Sequence, residues 1–411
     1  MFYLLDRRGG LHALPHESGE SVARVLLKHG IPPASVLVYR DTDEAIVADQ
    51  AILDPDALYT ARLIEGYDLA RIRDLYEAEL TGDATLAPDA ELLLKRRLAV
   101  APDGALTMER HSLEPQEAAE NVEDTVFSTI DTYSLLDQSD DVVLGLSGGV
   151  DSGSLLMLLS RYRDRVADDG RRIGIRAATF QDFDSRYSEA FGFAARISDR
   201  FNVEHHLVKA DAAERVFHLS RPIAQILMLM MEGEDAHQAM YVDHHSTRRV
   251  LEDFATTQGS RTLALGLHTT DLLAGLLNSW TSGHDMGPIP TRPVGEYQYI
   301  LPLAFVPKRE LHLYYTVQMG HLPKQTTPNQ WEFNPTDRNF YYFLADQMQW
   351  QWPGIQNWMF TAHDQRADPR PVFRTCENCG GATREITGAP LWSGLCDVCT
   401  VLDKHGWIRN S

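Results

Sequence analysis

The residues Val142-Val143-Leu144-Gly145-Leu146 carry no charge, end in Ser147-Gly148-Gly149-Val150-Asp151-Ser152, and run on into Leu155-Leu156-Met157-Leu158-Leu159. The apolar run reads as a buried strand and the stretch after it as a helix. The segment between them is richer than a chain reversal requires. Glycines let backbone N–H groups come close to a ligand. Ser147 and Ser152 add hydroxyls, and the following helix aims its positive end at the loop. Together these make an anion site sized for phosphate. No Gly-Lys-Ser or Gly-Lys-Thr follows, so the loop is not of the Walker kind.

Around this loop, strand and helix signals alternate from residue 138 to about 365: VVLGL, a helix from Asp151, IRAATF, a helix through Ala190–Arg200, EHHLVKA and TLALGL. Such alternation predicts an α/β fold, a parallel sheet with helices on both faces. Residues 1–70 read as a separate unit. FYLLD and LHALP flank Arg7-Arg8-Gly9-Gly10 as a hairpin, a helix follows over 18–30, and ASVLVYR, EAIVADQ and LYTARLIEG supply further strands. That order resembles the β-grasp fold of ubiquitin-like and sulfur-carrier proteins. Its end, Glu65-Gly66-Tyr67, is not a free diglycine, so a docking or packing role is expected rather than a carrier role. Residues 71–137 read as a mainly helical linker with a short interruption at Val100-Ala101-Pro102-Asp103-Gly104-Ala105.

The chain holds four cysteines, Cys376, Cys379, Cys396 and Cys399, as two CxxC pairs separated by sixteen residues. This spacing predicts a four-thiolate zinc ribbon over 366–411, because each CxxC turn can place two sulfurs on one tetrahedral ion. Two disulfides in a secreted domain are the alternative. The start MFYLLDRRGG lacks the basic-then-apolar pattern of a signal peptide, and no long apolar run could span a membrane, so a cytoplasmic protein is expected. The formal net charge of -20 argues against a broadly basic nucleic-acid surface but leaves room for a local patch.

The string SGGVDS after a hydrophobic strand resembles the PP-loop ATP pyrophosphatases. This resemblance implies a loop that binds the pyrophosphate of ATP, transfer of AMP onto a carbonyl oxygen, and displacement of AMP by a nucleophile. Val126–Ser152, Thr262–Asp271 with Asn278, Ile300–Tyr315, Thr327-Pro328 through Arg338-Asn339 to Pro353-Gly354-Ile355, and the cysteine tail are together similar to the branch that forms 2-thiouridine in tRNA. The likeness covers roughly residues 90–411. It implies that Ser147, Gly148, Gly149 and Ser152 hold pyrophosphate and that Asp151 positions Mg²⁺ or the reacting phosphates. Asp271 would aid metal binding or substrate alignment, Thr179 and Phe180 would lie beside adenine, and Gly266 and His268 would complete the nucleotide site.

The departures from that branch are specific. Val150 stands where a lysine is common, Thr270 replaces the first acid of a downstream pair, and Thr327 and His244 replace core cysteines. The segment Leu92–Ser112 follows an N-terminal zinc finger but has no cysteine. No thiol remains outside the ribbon to hold an iron–sulfur cluster or carry sulfur. The reading favoured by sequence is therefore an ATP-, Mg²⁺- and Zn²⁺-dependent adenylating sulfurtransferase. Its sulfur would come as sulfide, from a carrier protein or from a desulfurase, and a homodimer is compatible. The acidic charge tilts the acceptor towards a small molecule, with tRNA as the alternative. Attack by ammonia or an amine to form an amide is a second class of reaction, and a non-catalytic scaffold a third. The pairs His205-His206 and His244-His245, the latter with Asp243, read more readily as packed or surface residues than as metal ligands. Arg248 and Arg249 fit either an anion contact or a solvated helix face.

Overall fold

The computed structural model describes residues 1–5, 10–63, 95–100, 106–111, 113–136, 141–180, 188–209, 211–234, 236–282, 286–320, 335–352, 354–367, 372–384 and 393–409. Thr327-Pro328 and Pro353 of the motifs above lie outside them.

The central sheet has six strands: β8 (Asp141–Gly145), β9 (Gly174–Phe180), β10 (Glu204–Val208), β11 (Thr262–Ala264), β12 (Thr291–Val294) and β13 (Tyr297–Ile300), in the order β10-β9-β8-β11-β13-β12. The first five in that row run parallel and β12 closes the edge antiparallel to β13. The chain moves outward from β8 to β10, then returns to β11 on the other side of β8. The order therefore reverses between β8 and β11, and in open α/β sheets ligands bind outside the strand carboxyl ends at that point. Alternation along β8 explains why both faces are covered. Val142 and Leu144 pack with the helices Pro115–Thr132, Val150–Ala167 and Lys308–Met319, while Val143 packs with Leu251 and Ala255 of the helix Ala236–Thr257.

The α/β fold and its strands match the sequence expectation closely on β8, β9 and β10. Two features differ. The segment read as mainly helical contains an antiparallel hairpin, β6 (Lys95–Val100) with β7 (Leu106–His111), before its helix Pro115–Thr132 begins; residues 64–94 lie outside the described set. Neither strand shows clean alternation, since β6 runs Lys-Arg-Arg-Leu-Ala-Val; the interruption at Val100–Ala105 coincides with the link between the strands. The second is the β12–β13 hairpin, which turns through Gly295-Glu296 with Gly295 at φ +62° in the first position, a two-residue turn absent from the sequence expectation.

The amino-terminal unit is a mixed five-stranded sheet, β2-β1-β5-β3-β4, built from β1 (Phe2–Leu5), β2 (Leu11–Ala13), β3 (Val36–Arg40), β4 (Ala45–Ile46) and β5 (Tyr59–Leu63). β1 and β5 are parallel at its centre. The helix Val22–Lys28 begins at Ser21, whose side chain accepts the Arg24 N–H, and buries Val22, Val25 and Leu26 against the sheet. Leu37 and Tyr39 on the opposite face of β3 meet Ala118 and Leu313 of the central domain.

A buried ion pair fastens the two units. Arg309 grips Asp49 through both guanidinium nitrogens, Nη1 to Oδ2 at 2.8 Å, and its Nε donates to the Val36 carbonyl at 3.0 Å. Asp49 is fully buried and the Arg309 side chain is 10% exposed. Removing one member of such a pair leaves an uncompensated buried charge. Asp49→Ala is expected to destabilise the chain by about 3–5 kcal/mol, measured by denaturant unfolding. A loss below about 1 kcal/mol, the range of an exposed pair, would show that the contact is not structural.

Candidate active site

The loop between β8 and the helix Val150–Ala167 is shaped by its own hydroxyls. Ser152 Oγ accepts the Ser147 N–H at 3.1 Å and lies 3.0 Å from Ser147 Oγ, while Ser147 Oγ accepts the Gly149 N–H at 3.3 Å. Gly148 sits at φ +81°, a left-handed conformation that suits glycine. The helix N-cap is Gly149, with no side chain capping it, so the first-turn N–H groups point outward as an anion-binding end. Strand β9 anchors the base of the loop. Leu146 N–H donates to Ala178 O at 2.8 Å, and the Thr179 hydroxyl donates to Leu146 O at 2.6 Å.

Three further segments converge on Asp151. Lys308, at the start of its helix, places Nζ 2.6 Å from Asp151 Oδ2. From the loop after β11, His268 Nε2 lies 4.0 Å from Asp151 Oδ1 and 3.2 Å from Asp271 Oδ2. Gly266 makes this approach possible: a Cβ there would sit 3.2 Å from the backbone of Asp151 and Ser152. Burial by itself would raise the Asp151 pKa, but Lys308 first, then His268 and His312, outweigh it and hold the carboxyl down at about 2. His312, one turn along from Lys308, is buried, and burial followed by the Lys308 charge pushes its pKa well below the ordinary value, keeping it neutral.

Ser147, Gly148, Gly149, Asp151, Ser152, Gly266 and His268 are thus brought together at the reversal point. Asp271 is placed differently from Asp151. Its oxygens accept the Tyr342 hydroxyl and the His268 N–H, the latter at 3.3 Å, and Oδ2 faces the His268 ring. It therefore steadies His268. Thr179 is engaged with Leu146 O and, at 2.7 Å, with His205 Nε2, and Phe180 packs towards the core that holds the cysteines. Sequence reasoning missed Lys308, His312 and Tyr342. The first two stand in the Ile300–Tyr315 segment, whose Pro307-Lys308-Arg309-Glu310 run was the available signal; Tyr342 reaches the site from a distant helix and left none.

The four cysteine sulfurs lie within 4.8 Å of one another, buried and unbridged by disulfides, with Cys379 and Cys396 Sγ 3.9 Å apart. A tetrahedral ion about 2.3 Å from each sulfur requires S···S spacing of about 3.8 Å, so the cluster fits a single ion. It shares one apolar core with Phe217, Leu219, Ile226, Val242 and Val250, and Arg249 Nη2 donates to Cys379 O at 2.9 Å. Arg249 is accordingly a structural tie rather than a solvated residue.

Residues 134–261 match the asparagine synthase family. A tRNA-cytidine(32) 2-sulfurtransferase of Methylobacillus flagellatus is 23% identical over 192 residues, covering 45% of this chain and 56% of that protein. Its counterpart in Colwellia psychrerythraea is 25% identical over 205 residues, covering 48% and 58%. Among solved structures, a U34-tRNA thiolase of Methanococcus maripaludis with its 4Fe–4S cluster superposes with a TM-score of 0.53 at 16% identity, over 73% of this chain and 92% of that one. The chain is thus similar to PP-loop proteins, and its sequence relatives are tRNA sulfurtransferases. The chain spans a little over half the length of those curated relatives.

The depressed Asp151 pKa sets a pH signature. The stability it contributes is complete above the ordinary carboxylate value of 3.8 and is lost as pH falls through about 2. Carboxyl-resolved NMR should follow this titration, and Lys308→Met should move the Asp151 midpoint upward, because burial then acts unopposed by the nearest cation. An unmoved midpoint would remove Lys308 from the site. Metal removal should act beyond the ribbon: because the cysteines sit in a shared core, chelation is expected to lower the unfolding temperature of the helices Ala212–Val216 and Ile223–Met231 along with the tail, read by hydrogen exchange.

Proposed function

We propose that this chain is an ATP-dependent adenylating sulfurtransferase acting on a tRNA nucleotide. The observation that carries the reading is Asp151 held between Lys308 and His268 at the mouth of an uncapped anion loop, in a chain whose sequence relatives are tRNA sulfurtransferases. Those relatives weigh the acceptor towards tRNA, against the small molecule that the acidic composition favoured. A local basic feature agrees: the β6–β7 hairpin sets Lys95, Arg96 and Arg97 in register with His111, Arg110 and Glu109 on a chain of net charge -20.

In this reading the loop N–H groups and the Ser147 and Ser152 hydroxyls hold the β- and γ-phosphates of ATP. Asp151 Oδ1 is buried and accepts no hydrogen bond among the described residues, which fits a cation ligand. Bound Mg²⁺ would neutralise phosphate charge there. Lys308 lies next to the same phosphates as a fixed positive charge. The acceptor carbonyl oxygen attacks the α-phosphorus, the bond to the β-phosphate breaks, and pyrophosphate leaves. Sulfide, free or released by hydrolysis from a carrier thiocarboxylate, then attacks the carbon, and AMP departs with the original oxygen. His268, oriented by Asp271, is the imidazole nearest these groups and is placed to move a proton during either step. Thr179 and Phe180, at the end of β9, border the side proposed for adenine. The ribbon is proposed to hold Zn²⁺ for structure, and the amino-terminal sheet to be a β-grasp unit that docks a partner or packs.

The test incubates the zinc-loaded chain with ATP, Mg²⁺, sulfide, tRNA and free nucleotides, and reads nucleoside masses and AMP. An oxygen-to-sulfur shift in tRNA with stoichiometric AMP is expected. A shift confined to free nucleotides would replace the acceptor, and AMP without sulfur would replace the reaction with amide formation. Asp151→Asn should lower AMP formation by at least about a hundredfold, the scale of a lost electrostatic group. Replacing Lys95, Arg96 and Arg97 with glutamine should weaken tRNA binding at low salt and flatten the log–log salt slope by about 2–3, as lost phosphate contacts do. An unchanged slope would take the hairpin out of the RNA interface.

A further inference from the structure

Arg292 lies on the edge strand β12, opposite Tyr299 of β13, one residue short of that strand's carboxyl end. Its Nε and Nη2 are buried and make no hydrogen bond among the described residues. These two nitrogens form one side of the guanidinium, the fork that grips an oxyanion with two parallel hydrogen bonds. The acids around it are engaged elsewhere. Glu252 accepts from Arg249 and from the Tyr299 hydroxyl and faces Arg248 Nε at 3.6 Å. Asp364 accepts the Ile289 N–H at 3.0 Å. The strongest charge acting on Arg292 is a second cation, Arg248, whose Nε is also buried without a hydrogen bond among the described residues. Burial first, and then the Arg248 charge, push the Arg292 pKa down to about 10 against the weaker pull of Tyr299 and Asp364, and the Nε–Nη2 side of Arg292 is left without an acceptor among the described residues.

We propose that Arg292 and Arg248 form a second anion site, distinct from the PP-loop, that takes a phosphate of the acceptor nucleotide. The topology supports this assignment. Along the sheet, Arg292 pairs with Tyr299, Tyr299 with Leu263, and Leu263 with Val143, so β12 stands three strands from the strand that feeds the PP-loop. At ordinary strand spacing that is about 14 Å across the sheet. The site lies towards the same end as His268, whereas β9 and the proposed adenine position lie on the opposite side of β8. ATP and acceptor would thus approach the reversal point from opposite flanks, each held by its own phosphate contact. Gly287 keeps the approach narrow, since a Cβ there would meet Arg292 Cδ and Nε at 3.0 Å.

This inference rests on the nucleotide-acceptor reading and is tested apart from it. The full zinc-loaded chain is first saturated with Mg²⁺ and a non-hydrolysable ATP analogue, which fills the PP-loop. Inorganic phosphate, a nucleoside 5′-monophosphate and a short RNA are then titrated by calorimetry. Binding of phosphate to the saturated wild type is expected, weakened at least tenfold in Arg292→Lys, which keeps the charge but loses the fork, and lost in Arg292→Gln. Tighter binding of RNA than of monophosphate would identify a backbone phosphate as the source, and the reverse a free nucleotide. No phosphate binding to the saturated wild type, or equal binding in both variants, overturns the site. The analogue's own affinity, measured in the same samples, tests the PP-loop separately: its absence in wild type would sink the ATP reading while leaving the Arg292 result standing.

Discussion

Lys308 and Arg309 open a helix with two adjacent buried cations, each paired with a carboxylate from a different part of the chain. Positive charge in the first turn of a helix opposes the macrodipole, and burying it without a partner is costlier still. The arrangement stands only because Asp151 answers Lys308 from the PP-loop helix and Asp49 answers Arg309 from the amino-terminal sheet. One helical turn therefore couples three units. It fixes the floor of the candidate site, sets the ionisation of Asp151, and docks the amino-terminal domain one residue from the cation that faces Asp151.

The same turn explains why the loop can carry so much chemistry. Gly266 allows the β11 loop to lie against the start of the PP-loop helix, and His268 enters the gap so formed. Asp271 and Tyr342 then fix the imidazole from behind. Neutral His312 fills the remaining space beside Lys308 without adding a competing charge. The result is one ionised carboxylate with an oxygen that accepts no hydrogen bond among the described residues, one ammonium and one oriented imidazole beside a row of backbone donors.

Much of this was legible in the sequence because it is local. The apolar run before Ser147 fixed a strand, the double glycine and hydroxyls fixed an anion loop, and the CxxC spacing fixed a four-sulfur cluster. The partners of those groups were not legible, because pairing across the fold leaves no periodic trace. Lys308 lay in a segment matched by resemblance, yet nothing local said that it would meet Asp151. The resemblance implies that Asp271 aids metal binding or substrate alignment; in the structure its oxygens accept from the Tyr342 hydroxyl and the His268 backbone. Around the β6–β7 hairpin the sequence shows an interruption at Val100–Ala105, but the helix propensity of the basic residues beside it favours helix on either side; pairing of Lys95 with His111 and its successors overrides that preference.

The cysteine arrangement bears most directly on where sulfur comes from. All four thiols of the chain stand in one buried cluster of tetrahedral spacing, each within 4.8 Å of the others and capped by the Asp397–Lys404 helix and the Arg249 contact. A thiolate bound to a closed structural ion is neither free to carry a persulfide nor arranged around an open iron position. The solved thiolase with this fold contains an iron–sulfur cluster, while this chain has His244 and Thr327 where the resembling branch carries its core cysteines. In the proposed reaction sulfur would have to arrive already in a nucleophilic state, and water would compete for the adenylate. Fully buried His268 and the ionic bridge from Lys308 to Asp151 would close the floor of the proposed site against that competitor. The flank near β12 and β13 would then be the side for acceptor and sulfur.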